Sequence, residues 1–242
     1  MNDLFGAVAP FWSWLMGGVP RTTAPRQVIV VAGGTANVGT SFVTTLLGTA
    51  AAVAGHSVLV VDGEAGALPA RVRQVAPRFS AYGLVLIDAG SRIGTIREVC
   101  GVLGDMPRNG DRVLAVTSAD ATAIAAAYAL TKNLLARSPR LDIQLLVNGS
   151  DVASAAAVGE HVRAGVRLFL RRSVGFAGHI PDDPALGMAH HAGAGLPEAL
   201  AVASAAPAVL ELLGRLVRPP RAMIDTSTPP AAPLPAPLPL EA

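Results

Sequence analysis

Short apolar runs alternate with longer stretches of helical periodicity along most of the chain. Val28–Val31, Val58–Val61, Leu84–Ile87, Val113–Val116, Ile143–Val147 and Val174–Ile180 read as strands, most of them apolar enough to be buried on both faces. Between and after them, Ser41–Ala54, Ile93–Leu103, Ala121–Ala136 and Val152–Leu170 read as helices, Ala67–Phe79 as room for one short helix, and Pro197–Val217 as one closing helix. Strands and helices in strict alternation predict an α/β fold, a mostly parallel sheet flanked by helices on both faces. No run approaches the roughly 18 apolar residues of a membrane span.

The ends break the pattern. Residues 1–26 carry Trp12 and Trp14 with Leu4, Phe5, Phe11, Leu15 and Met16, and only Asp3 as a charge in the first twenty. They lack the basic start of a signal peptide. Two readings stand: an extension packed on the domain, or an anchor for an interface or partner, since tryptophan suits a half-wet, half-apolar site. Residues 218–242 are proline-rich and cannot form a helix or an inner strand; they read as a disordered or polyproline tail. The folded domain is therefore expected over 27–217.

Composition narrows the chemistry. Net charge is +2 over 242 residues, so nothing forces a nucleic-acid partner, and no sequence-specific nucleic acid is predicted. All the basic residues but Lys132 are arginine, so chemistry that needs a lysine has Lys132 or none. Cys100 stands alone, which excludes an internal disulfide and a cysteine metal cluster, and a reducing, cytoplasmic setting is expected. Arg163, Arg167, Arg171 and Arg172 gather toward the end of the Val152–Leu170 helix, where they complement the helix dipole. They form either a solvated face or a DNA or membrane contact.

Polar groups collect where the strands end: the glycine-bearing loop Gly33–Gly39, Asp62, Asp88, Ser118 and Asn148. In a parallel sheet, ligands bind beyond the carboxyl ends of the strands. The loop opens a helix N-terminus, which presents N–H groups and a positive dipole end to an anion, commonly a phosphate.

Six segments, in order, then resemble one family. Gly34-Thr35-Ala36-Asn37-Val38-Gly39-Thr40-Ser41 stands where the MinD/ParA P-loop ATPases carry their deviant Walker A loop GKGGVGKT. Asp62-Gly63-Glu64 resembles the family's DxD, and Leu86-Ile87-Asp88-Ala89-Gly90 its Walker B. Asp120–Ile124 with Tyr128–Lys132, Leu146-Val147-Asn148, and Gly178–Pro184 through Ile180-Pro181 are similar to the flagellar number regulator (FlhG-like) branch. The resemblance implies a P-loop NTPase fold of the SIMIBI class and ATP or ADP with Mg²⁺ as cofactor. It implies loop contacts from Gly34 to Ser41, adenine-side contacts from Asn148 and Pro181, metal-side roles for Ser41, Asp62 and Asp88, and Asp62 near the attacking water. It also implies a spatial regulator acting on a flagellar or other polar machine or cargo, with protein partners and a homodimer. Peripheral membrane contact through residues 1–26 or the closing helix belongs to the same expectation.

The departures weigh as much. Thr35 and Thr40 stand where the family has lysines, and a hydroxyl cannot neutralise charge developing on phosphate oxygens. Losing one charge-assisted contact costs about 1.5–3 kcal/mol in binding. Ala36 and Asn37 replace two loop glycines, and only 25 residues separate Asp62 from Asp88, fewer than the family's usual spacing. A degenerate member is expected, with the fold kept and ATP turnover weak or absent.

Two other readings use the same residues. Gly33–Gly39, Asp62, Asp88-Ala89-Gly90, Ser118, Tyr128 and Lys132 resemble the loop, ribose-binding and Ser…YxxxK residues of a short-chain dehydrogenase, which would take NAD(P). Tyr128 and Lys132 also fit a plain structural pair on one helix face. The third reading is a scaffold that kept the shape and binds no nucleotide.

Overall fold

The computed structural model describes residues 27–62, 67–104, 111–193 and 195–217. The aromatic extension 1–26, the proline-rich tail 218–242 and Gly63-Glu64 of the DxD resemblance lie outside the described residues.

Six strands form one sheet: β1 (Gln27–Gly33), β2 (Val58–Val61), β3 (Leu84–Asp88), β4 (Arg112–Thr117), β5 (Ile143–Asn148) and β6 (Gly175–Ile180). Their spatial order is β2-β3-β1-β4-β5-β6, and every pairing is parallel. The helices are α1 (Thr40–Val53), α2 (Leu68–Val75), α3 (Ile93–Gly104), α4 (Ala121–Arg137), α5 (Val152–Gly165), α6 (Pro184–Ala192), α7 (Leu196–Val202) and α8 (Ala206–Leu216). β1 is buried along its whole length, which explains its unbroken apolar run.

The two-residue period of β1 splits the core. Ile29 and Val31 face one layer with α1 and the closing helices, including Val43, Leu46, Leu47, Leu212 and Leu216. Val28 and Val30 face the other, with Val72 of α2, Ile96 of α3, Leu130 and Leu134 of α4 and Val162 of α5. Burying both faces is what a parallel sheet requires. After β1 the chain places β2 and β3 to one side, and then crosses to the other for β4. The loop after β1 thus sits at the switch point of the sheet, the usual crevice for a ligand.

Two expected elements change. The closing helix is two helices, α7 and α8, bent by 107°. Pro207 at the start of α8 fits a first helical turn but cannot continue an earlier one. Ala67–Phe79 holds the one short helix expected, α2, and a 3₁₀ turn over Ala76–Ala81 follows it, with Pro77 at its start. α5 stops at Gly165, and a π-helical turn, Val166–Leu170, continues it, ending on Arg171 with φ 54°. α6 is an addition. Asp183 caps it, Pro184 opens it and Gly193 in the left-handed region ends it. Among the described residues no single helix is long and apolar enough to cross a membrane.

The two ends of the described domain meet. Gln27, at the start of β1, is buried and donates from Nε2 to the carbonyl of Leu216, at the end of α8, at 2.6 Å.

Candidate functional site

The loop after β1 is built by backbone conformation. Asn37 adopts φ 64° and Gly39 φ 86°, both left-handed. Asparagine tolerates that region because its short amide bonds locally, and glycine has no Cβ to clash. Gly39 stands at the N-cap of α1 and offers no side-chain cap. Asp120, Asp151 and Asp183 cap α4, α5 and α6 by accepting from first-turn N–H groups. The positive end of α1 is thus left to whatever the loop holds.

Close packing fixes the loop's position. A Cβ on Gly34 would lie 2.2 Å from the carbonyl carbon and oxygen of Ala126, and one on Gly33 would lie 2.6 Å from Val38 Cγ2. The alanine-rich middle of α4 permits this approach. Val38 is buried. Asn148, at the end of β5, donates from Nδ2 to the Val38 carbonyl at 3.0 Å. The asparagine expected on the adenine side thus braces the loop.

At the foot of the loop, Ser41 Oγ donates to Asp88 Oδ2 at 2.5 Å. Asp88 is buried, and its Oδ1 accepts from the Gly90 N–H at 3.0 Å. The Gly90 carbonyl accepts from the Gly33 N–H at 2.8 Å. One carboxylate therefore ties together the ends of β1 and β3 and the first turn of α1. Gly90 was not among the expected site residues. Its signal was present, a glycine two positions after a strand-end carboxylate, here with φ 60°. Val61 pairs with Ile87, so Asp62 and Asp88 follow each other on neighbouring strands, roughly 4.8 Å apart across the sheet. Asp62 is exposed and Asp88 is not.

Thr35 and Thr40 are half-buried in the loop, Ala36 and Asn37 are exposed, and Pro181 is half-buried just past β6. Two residues on, Asp183 caps α6. Burial pushes its carboxyl up, but hydrogen bonds outweigh that and hold it below the usual range. They come from Ser204 Oγ at 2.9 Å and from the N–H groups of Leu186, Ala205 and Ala185.

The dehydrogenase set is not brought together. Ser118 lies just past the end of β4, whereas Tyr128 lies seven residues into α4, roughly 10 Å along its axis. Tyr128 packs against Gly165 and meets Phe169 edge to face at 6.4 Å, on the α4–α5 seam. Lys132, one turn further, is exposed. Tyr128 is thus engaged in helix packing.

The arrangement has a chemistry of its own. A serine hydroxyl and a buried carboxylate in contact below an uncapped helix start offer two oxygens to a hard divalent cation. Mg²⁺ takes one or two protein oxygens and fills its other positions with water and phosphate. Among the described residues no group of three or more His, Cys, Asp or Glu could hold a metal without such help.

No protein-family model matches the chain, and no curated protein matches it in sequence. Its fold does match solved structures. A chain of the MinC:MinD cell division protein complex of Aquifex aeolicus aligns over 78% of this chain and 95% of its own, with a TM-score of 0.56 and 17% identity. The MinD cell division protein of the same organism aligns over 78% and 96%, with a TM-score of 0.50 and 16% identity. A putative plasmid partition protein of Borrelia burgdorferi B31 bound to AMPPNP aligns over 78% and 98%, with a TM-score of 0.50 and 10% identity. The fold, a mostly parallel six-stranded sheet flanked by helices, is the one these MinD and plasmid partition proteins have.

Proposed function

We propose that this chain is a MinD/ParA-like spatial regulator whose phosphate loop is degenerate: it retains a site for ATP or ADP with Mg²⁺ and turns nucleotide over slowly or not at all. The observation that carries the reading is the 2.5 Å contact of Ser41 with Asp88 at the foot of a loop with threonines at 35 and 40. The metal-side pair is kept and both lysines are gone. Backbone N–H groups and the α1 dipole can still attract phosphate, but the threonines at 35 and 40 carry no positive charge to stabilise phosphoryl transfer. In this reading Ser41 and Asp88 hold the ion, residues 34–40 cradle phosphate, Asn148 and Pro181 border the base, and Asp62 stands nearest the attacking water.

One similar structure holds AMPPNP and another is a complex of two cell division proteins, which supports nucleotide and protein partners here. The motif likeness to the flagellar number regulator branch makes a flagellar or other polar machine the system served. A homodimer and a peripheral, cytoplasmic-face location complete the proposal.

The test is a side-by-side calorimetric titration of the full chain with Mg-ATP, Mg-ADP and NAD(P)H. Micromolar ATP binding, abolished by Asp88→Asn and accompanied by little hydrolysis, is the expected result. Binding of NAD(P)H alone overturns it, and binding of none of the three leaves a scaffold.

A further inference from the structure

The π-helical turn after α5 presents two large apolar side chains to solvent. Leu168 is 61% exposed and Phe169 71%. They are adjacent, and the ring of Phe169 is held edge to face against Tyr128. The same turn and the residues just after it carry Arg167, Arg171 and Arg172, which line a groove of about 500 Å³. Leu135, Pro139 and Leu141, from the end of α4 and the approach to β5, complete its lining with Ser173.

The local charge is unbalanced. Glu160 is engaged by both Arg163 and Arg167, and Asp142 by Arg112. Among the described residues Arg171, Arg172, Arg137 and Arg140 have no acidic partner. Arg171 holds the left-handed φ of 54°, unusual for a residue with a long side chain. A π turn is itself a frequent mark of a functional site.

Apolar tips beside unpaired arginines match the boundary of an anionic bilayer. The apolar pair suits the edge of the acyl region, and guanidinium groups suit phosphate headgroups in the plane above it. Nucleic acid fits less well, because phosphate contacts do not use an exposed leucine. We infer that residues 167–172 are a docking surface for an anionic phospholipid bilayer, with Leu168 and Phe169 entering the headgroup boundary and Arg171 and Arg172 taking lipid phosphates. This surface lies before β5 and β6, at the amino ends of the strands, opposite the loop after β1. It does not depend on nucleotide binding and differs from both the aromatic extension and the closing helices.

The test is co-sedimentation of the full chain with vesicles of phosphatidylcholine, with and without phosphatidylglycerol, in low salt. Binding only to the anionic vesicles is expected. Each arginine near such a surface is worth about a fivefold change, so Arg171→Ala with Arg172→Ala weakens binding by about 25-fold. Leu168→Ser with Phe169→Ser weakens it at least about tenfold. Unchanged melting and Mg-ATP titration in both double variants show that the fold and the loop are intact. Failure to bind anionic vesicles overturns the inference. So does binding undiminished in the variants, which assigns the contact to another segment. Duplex DNA binding lost in the arginine variant, with vesicles ignored, overturns it in favour of nucleic acid.

Discussion

Asn148 reaches across β4, from the end of β5, to donate to the Val38 carbonyl in the loop that follows β1. The loop is thereby held from its far side as well as from below. Asn148→Ala removes one hydrogen bond and is expected to cost about 1 kcal/mol. Gly39→Ala is expected to cost more, because its Cβ would lie 2.4 Å from Asn148 Nδ2 and its φ is 86°. The two changes should be non-additive, with Gly39→Ala milder in the Asn148→Ala background. Urea midpoints of the four proteins in the cycle measure this.

Gly34 and Gly90 make a sharper contrast. Gly34→Ala drives a methyl into the α4 backbone, which cannot step aside as a side chain can, and about 3 kcal/mol of destabilisation is expected. Gly90→Ala meets nothing within 4 Å and carries only the strain of φ 60°, about 1–2 kcal/mol. Chemical denaturation should rank the two in that order.

If the loop still holds nucleotide, restoring its charge should strengthen it. Thr40→Lys is expected to tighten Mg-ATP by about 10- to 150-fold, the range of one charge-assisted contact. Thr35→Lys should change affinity less, since Thr35 lies at the start of the loop whereas Thr40 opens α1 beside Ser41. Calorimetry on each variant, with mass measured in parallel, separates the two.

The carboxyl of Asp183 sits below the usual range because burial is outweighed by hydrogen bonds from Ser204 and three N–H groups. A carboxyl lowered in the folded state stabilises above its unfolded pKa of about 3.9, and that stability is lost as pH falls through the folded value. Asp183→Asn should therefore melt lower than the unaltered chain by a constant margin from about pH 5 upward. The margin should shrink on the acid side of about pH 4. Thermal melts across this range read the effect directly.

Burial pushes the Cys100 thiol up to about 11. At pH 8 its thiolate fraction is then roughly a hundredfold below that of an ordinary cysteine. Reaction with a disulfide reagent should be slow by about that factor in the folded protein, and urea should restore the ordinary rate.

The strands were legible because a parallel sheet buries both faces and leaves continuous apolar runs such as Val28–Val31 and Leu84–Ile87. The strand-end carboxylate Asp88 and the loop serine Ser41 were legible for the same reason, since each follows or precedes a well-marked element. Helix α6 was overlooked although Asp183, Pro184 and Gly193 are cap residues in the right places. The break between α7 and α8 had only Pro207 to announce it, inside an otherwise helical pattern. What no local pattern could show was register. The bond from Asn148 to Val38 and the approach of Gly34 to Ala126 join positions 110 and 92 residues apart, and they exist only once β4 and β5 have docked.

The bond from Gln27 to Leu216 makes one doorway for the chain. Gln27 and Leu216, next to the points where the chain enters and leaves the domain, are in direct contact. The segments before and after the domain therefore experience each other at an effective concentration in the millimolar range, as short flexible linkages give. A target touched weakly by both would be held by avidity, and cutting either segment would cost far more than that segment's own affinity. Joining the two ends through a short linker and opening the chain elsewhere should leave the fold intact while abolishing that two-handed grip.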